Sequence, residues 1–173
     1  IKGSELVSEL IVDGSCIQTG IGAIPAAILS QLSNKNDLGM HGGLIDDAGM
    51  HLIQEGNLSG RVKTIDRELH VVGMALGSQN LYEWLAAQES VVFRGANYTH
   101  EVGVISQLDD FVSINSALEI DLYGQINAEF TGGRQLSGTG GSVDFMRAAK
   151  SSKRGKSIVA MNATAKGGSV SRI

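Results

Sequence analysis

Apolar residues recur at helical spacing at Leu6, Val7, Leu10 and Ile11, and again at Ile24, Ile28, Leu29 and Leu32. Recurrence at i, i+3, i+4 and i+7 marks an amphipathic helix. Ser4 stands ahead of the first run as an N-cap, and Asp13-Gly14 closes it with a turn signal. Between the two runs, the segment through Cys16, Ile17, Gln18 and Thr19 reads as a short buried strand that breaks at Gly20 and Gly22. The pattern is strand, glycine loop, helix, with Pro25 in the first helical turn, where a missing N–H costs nothing. Unpaired amides and the positive end of the helix dipole make such a turn a seat for an oxyanion or phosphate. A plain tight strand-to-helix connection would use the same residues.

The pattern continues through a polar turn, Asn34-Lys35-Asn36-Asp37, into Leu38-Gly39-Met40-His41, a second buried strand with Gly42 and Gly43 at its end. Asp47 to Glu55 reads as a helix with Met50, Leu52 and Ile53 inward and Gly56 as its stop. Leu69 to Met74 is a strand, Leu81 to Ala87 a short helix, and Val91-Val92-Phe93 another strand. This alternation predicts an α/β fold: an open, mainly parallel sheet with flanking helices, in which ligands collect at the carboxyl ends of the strands. Further on, 111–122 and 124–129 alternate apolar and polar residues around Tyr123-Gly124, which predicts an extended pair whose polar side faces a cleft. A second glycine loop, Ser137-Gly138-Thr139-Gly140-Gly141-Ser142, runs into a helix from Val143 to Lys150. Two such loops can offer backbone donors to opposite ends of one ligand.

At 173 residues the chain is sized for a single domain, and 42% hydrophobic with 18% charged residues suits a globular one. The 23 glycines against one proline point to many tight connections in one compact unit. A net charge of -4 and the lack of a basic run argue against a nucleic-acid surface; the one basic cluster, Lys150 to Lys156, reads as a helix end and a solvated turn. Cys16 is the only cysteine, which excludes a disulfide framework and predicts a reducing, cytoplasmic setting; the residue itself reads as packing. His51, His70 and His100 are scattered without metal-ligand spacing, so no metal site is expected. No apolar run is long enough to span a bilayer, and no signal peptide is visible. The start at Ile1 rather than Met, with a stop at Ile173 after a strand-like segment, leads us to expect a fragment.

Several blocks carry a resemblance when read in order. They are Asp13-Gly14, 18–25 (Gln-Thr-Gly-Ile-Gly-Ala-Ile-Pro), 37–41 (Asp-Leu-Gly-Met-His), 114–122, 124–129, Ser137 to Gly141, Asp144-Phe145 and Ser171-Arg172-Ile173. Together they span nearly the whole chain, which resembles the C-terminal domain of the acetyl-CoA hydrolase/transferase family, including the 4-hydroxybutyrate CoA-transferases. The resemblance implies the open α/β sheet of family I CoA-transferases, in residues 1–173 as one domain of a two-domain enzyme whose N-terminal domain is missing here. It further implies acyl-CoA and a small carboxylic acid as partners, coenzyme A as substrate rather than a tightly bound cofactor, and a homo-oligomer. Family members move CoA between carboxylic acids: a glutamate attacks the thioester, giving an acyl-glutamyl anhydride and then a glutamyl-CoA thioester. By position the oxyanion donors include the Thr19 amide and one from the loop Gly138 to Gly141, with Gly20, Gly22, Gly138, Gly140 and Gly141 as the binding glycines.

The family glutamate lies two residues beyond the histidine of the second strand, and that position here is Gly43. A glycine cannot form an anhydride. Asp46 and Asp47 lie close by, but capping of the next helix competes for both. Glu129 reads as shaping the site, and Glu119 and Asp121 as solvent-facing or paired with Arg134 or Arg147. His41 ends a strand beside the cleft and has the chemistry to activate a water, against the alternative of a buried structural histidine. Three readings follow: a CoA-transferase working without a glutamate at position 43, an acyl-CoA thioester hydrolase in which the space at Gly43 admits water, and a non-catalytic acyl-CoA-binding domain.

Overall fold

The structure is a computed structural model that describes residues 2–173. In chain order its first half comprises α1 (Lys2–Glu9), β1 (Cys16–Thr19), α2 (Ala23–Leu29), β2 (Gly39–Ile45), α3 (Asp47–Gln54), β3 (His70–Ala75), α4 (Gln79–Leu85) and β4 (Val91–Phe93). The second half comprises α5 (Ala96–Thr99), α6 (Val102–Ile105), β5 (Phe111–Ser116), β6 (Glu119–Ile120), β7 (Ile126–Asn127), β8 (Phe130–Thr131) and β9 (Arg134–Gln135). It ends with α7 (Ser142–Ser151), β10 (Lys156–Ala160), β11 (Thr164–Ala165) and β12 (Val170–Ser171).

Six of these strands form one parallel sheet in the order β10-β5-β1-β2-β3-β4. The chain walks outward from β1 to β4 and then crosses back to lay β5 on the other side of β1. Strand order therefore reverses between β1 and β5, the kind of place where open α/β sheets hold ligands. Both faces of the sheet are covered, and neighbouring side chains enter opposite cores. Ile17 and Val112 join one core with Ile28, Leu29, Leu32 and Leu52, while Cys16 and Phe111 join another with Ile105, Leu108, Phe145 and Ala148. The expected open parallel sheet with flanking helices is the observed fold.

Several local expectations change. Helix α1 already includes Ser4, which is buried in its first turn rather than standing ahead of it. Of its apolar stripe, Val7 and Ile11 enter the core, but Leu6 and Leu10 are 65% and 50% exposed. Gly42 and Gly43 lie inside β2, not after it. The long extended pair is also corrected: β5 is an inner strand between β1 and β10, and the antiparallel hairpin is confined to Glu119↔Asn127 and Ile120↔Ile126. The polar positions Ser113 and Asn115, which mimic a half-solvated alternation, are in fact buried. Glu119 accepts from Asn127 Nδ2 at 2.6 Å and Asp121 from the Tyr123 and Gln125 amides, in place of the arginine partners considered. In the basic cluster, Arg154 pairs with Asp110 at 2.5 Å and ties the turn after α7 to the start of β5.

The face under α5 to α7 has an unusually polar interior. Lys63 is buried, its Nζ donating to the Leu69 carbonyl at 2.6 Å and more weakly to that of Met40 at 3.4 Å, and burial lowers its pKa. Burial also pushes His41 on this face, and His70 on the other, down to about 4, so both are neutral at physiological pH.

Two stability predictions follow from these burials. Ile11→Ala should destabilise the fold by about 2–5 kcal/mol, whereas Leu10→Ala next to it should stay within about 0.5 kcal/mol, as read by urea denaturation. Exposed histidines titrate near 6.5, so between there and about pH 4 the unfolded chain binds protons that the folded chain refuses, and stability falls as pH drops through that window. Denaturation at neutral pH and at about pH 4.5 should differ by about 2–3 kcal/mol per buried histidine. Replacing His41 and His70 together with leucine should flatten that pH dependence.

Candidate functional site

The carboxyl end of β1 leads through Gly20-Ile21-Gly22 into α2, and Gly22 takes φ 130°, a conformation that favours glycine. The Gly20 amide is occupied by the Ile114 carbonyl at 2.8 Å. Amides alternate in direction along a parallel strand. Those of Cys16 and Gly20 reach the carbonyls of Asp110 and Ile114 on the β5 side, so that of Thr19 turns toward β2. The β1–β2 register ends at Ile17↔Met40. Thr19 thus presents its amide beyond the last registered pair, on the side of Gly42 and Gly43.

Behind this edge lies a buried polar network. Gln18 Oε1 accepts from Ser113 Oγ at 2.9 Å and Asn115 Nδ2 at 3.3 Å, and Asn115 Nδ2 also donates to Ser113 Oγ at 2.9 Å. The glycines on either side make room for it. A Cβ on Gly42 would stand 2.9 Å from Gln18 Cγ, and one on Gly20 would stand 2.9 Å from Asn115 Oδ1. Satisfied side chains here hold the strand ends in one arrangement.

The second glycine loop comes down onto β2 from the opposite side. A Cβ on Gly43 would stand 3.3 Å from Cε1 and Nε2 of His100 and 3.8 Å from Phe145, while one on Gly141 would run into the same imidazole. The His100 ring packs on Phe145 with centroids 4.5 Å apart, and its Nδ1 lies 2.8 Å from Thr99 Oγ1. It is half-buried and opens on a cleft of about 560 Å³ lined by Ala96, Glu101, Val102, Gly140, Gly141 and Asp144. The lining includes two carboxylates and no lysine or arginine.

The positions singled out in the sequence divide accordingly. Gly140 and Gly141 line the cleft and Gly43 opens toward its histidine; Gly138 is exposed with open space around it. Thr19, Gly20 and Gly22 sit at the neighbouring strand end, outside the cleft lining. His41, two residues before Gly43 on β2, is wholly buried, with its ring 5.8 Å from that of Tyr98 and no regular hydrogen bond at either ring nitrogen. Asp46 caps α3, accepting from the Gly49 amide at 2.9 Å, and Asp47 accepts from the Ser78 hydroxyl at 2.5 Å and from the Ser78 amide at 2.9 Å, which lower its pKa. Cys16 is buried, which raises its thiol to about 12 and leaves it unreactive. The cleft histidine, His100, reads in the sequence only as one of the scattered histidines, because it follows the four-residue helix α5, too short for a periodic signal, and meets Gly43 only through the fold.

Known proteins share this architecture. The chain is 42% identical over 98% of its length to a 4-hydroxybutyrate coenzyme A transferase of Clostridium kluyveri, and 38% identical over 93% to a butyryl-CoA:acetate CoA-transferase of Anaerostipes caccae. It spans only 39% and 36% of those relatives. The crystal structure of RipA from Yersinia pestis matches 98% of this chain with a TM-score of 0.94 at 39% identity, over 39% of its own length. The model of the acetyl-CoA hydrolase/transferase C-terminal domain matches residues 77–173, more than half of the sequence, and the chain belongs to that family.

Proposed function

We propose that this chain is the C-terminal domain of a two-domain enzyme acting on acyl-CoA thioesters, and that the reaction it supports is hydrolysis, with water replacing the carboxylate acceptor of a transferase. The observation that carries the reading is Gly43, a residue with no side chain, whose place beside the cleft is taken by His100, a histidine that lines the cleft together with Gly140 and Gly141. Transfer through a protein anhydride needs a carboxylate at that point, and the nearby Asp46 and Asp47 are both engaged as hydrogen-bond acceptors at α3 and Ser78. A thioester carbonyl lying over β2 at Gly42-Gly43 would meet donors from two directions, the Thr19 amide and the 138–141 loop. Such donors stabilise the oxyanion of a tetrahedral intermediate and can contribute about 10²–10³ in rate each.

The cleft wall carries Glu101 and Asp144, so the phosphate-rich end of coenzyme A belongs elsewhere and only the uncharged thioester end enters. The acyl pocket and CoA anchorage would then fall partly to the N-terminal domain, and a homo-oligomeric assembly fits the same reading.

The full-length protein, incubated with acetyl-CoA or butyryl-CoA and a carboxylate acceptor, should release free CoA without exchanging acyl groups. Exchange accompanied by a hydroxylamine-sensitive acyl adduct on an aspartate or glutamate would overturn hydrolysis in favour of transfer. Gly43→Glu, paired with His100→Ala to clear space, should create such an adduct at position 43, detectable by peptide mapping.

A further inference from the structure

We propose that His100 is the general base of the site, drawing the proton from the water that attacks the thioester; this rests on the hydrolytic reading above. The first ground is position. The imidazole occupies the place into which a residue 43 side chain would project, with Nε2 lying 3.3 Å from the point where a Cβ on Gly43 would stand. The backbone of Gly141 covers the other side of the ring so closely that any side chain there would strike it. A histidine thus fills the gap at β2, held between two glycines and opening on the cleft.

The second ground is the hydrogen-bond chain behind the ring. Thr99 Oγ1 lies 3.4 Å from the Gly95 carbonyl, to which it can donate, and 2.8 Å from Nδ1 of His100; with that donation made, its oxygen is free to accept from Nδ1–H. That tautomer puts the lone pair on Nε2, and Nε2 has no hydrogen-bond partner among the described residues. An imidazole oriented through one nitrogen with the other free is the arrangement that general-base catalysis uses. His41 shows the contrast: it shares the strand with Gly43, but it is sealed from water and held neutral by burial.

The step balances without any other reactant. Nε2 takes a proton from water as the oxygen bonds to the thioester carbon, and the resulting oxyanion is held by main-chain amides. The intermediate collapses with cleavage of the C–S bond, and the leaving thiolate takes the proton back from Nε2–H, giving a carboxylic acid and free coenzyme A. His100 ends neutral and is never acylated. Thr99, buried behind the ring, is a positioning residue in this scheme.

The test uses the full-length protein with acetyl-CoA, following CoA release. His100→Ala should lower kcat by about 100-fold or more with KM little changed, and added imidazole should restore much of the rate, since the vacated space faces the cleft. His100→Gln, which keeps the volume, should fold as the wild type does, lose a similar factor and gain nothing from imidazole. If the wild type releases CoA and His100→Ala does so equally fast, the assignment falls while the hydrolytic reading stands. A folded His100→Ala whose lost rate imidazole fails to restore also overturns it, as does a stable acyl group on the peptide containing His100. If the wild type releases no CoA at all, both readings fall together.

Discussion

Everything in the site depends on the missing side chains in the middle of β2. Gly42 and Gly43 sit within a strand whose other residues are packed from both faces, and a strand interior normally has side chains to contribute there. Their absence lets the neighbours close in: Gln18 leans over Gly42 from β1, and His100 leans over Gly43 from the end of α5. The weakening that glycine brings to a strand is offset by what those neighbours do. Gln18 passes its contact on to Ser113 and Asn115 of β5, so the two strands that meet at the switch point, β1 and β5, are cross-linked by buried polar groups, with Gly42 of β2 making room beside them. Losing one member would leave the others as unpaired groups in a low-dielectric interior, which costs far more than the hydrogen bonds add.

The same reasoning separates two kinds of glycine that look alike in the sequence. Gly22 is needed for a backbone angle and Gly20 for the room it gives Asn115, whereas Gly140 and Gly141 bring main chain onto a ring and a cleft. The short motif at 20–25 therefore has a sufficient structural explanation of its own, and what it offers a ligand reduces to the direction of the Thr19 amide.

Most of the fold was legible in the sequence because buried parallel strands and their helices carry strong local signals. β1, β3, β4 and α3 fall within a residue or two of where periodicity puts them. The failures have one cause, which is tertiary burial overriding a local pattern. Ser113 and Asn115 read as the wet side of a hairpin until a partner, Gln18, is brought to them from 95 and 97 residues away. Leu6 and Leu10 read as core until the helix docks through Val7 and Ile11 instead. In the site, glycine loops and Gly43 were visible as letters, but nothing marked His100, one of the scattered histidines, as the residue that answers Gly43. Its neighbours, Thr99 and Glu101, give no hint that the chain turns back there over β2.

The two faces of the sheet divide the labour. Under α1 to α4 lies the larger apolar core, which takes in His70 beside Val72 and Val91 and supplies the bulk of the hydrophobic stabilisation. Under α5 to α7 the apolar cluster is smaller, and the interior holds Lys63 and His41, both desolvated and kept toward their neutral forms by burial. A face built this way gives up stability, because polar groups buried without full partners carry a desolvation cost. That cost falls on the side where the 138–141 loop, His100 and the cleft are found. Proteins commonly place their least stable packing next to the parts that must accept a ligand, and a large, dry core on one face can tolerate it on the other. The asymmetry also explains why only one of the two histidines on this face is positioned for chemistry: at His41 the sheet and its covering loops exclude water, whereas His100 opens on the cleft.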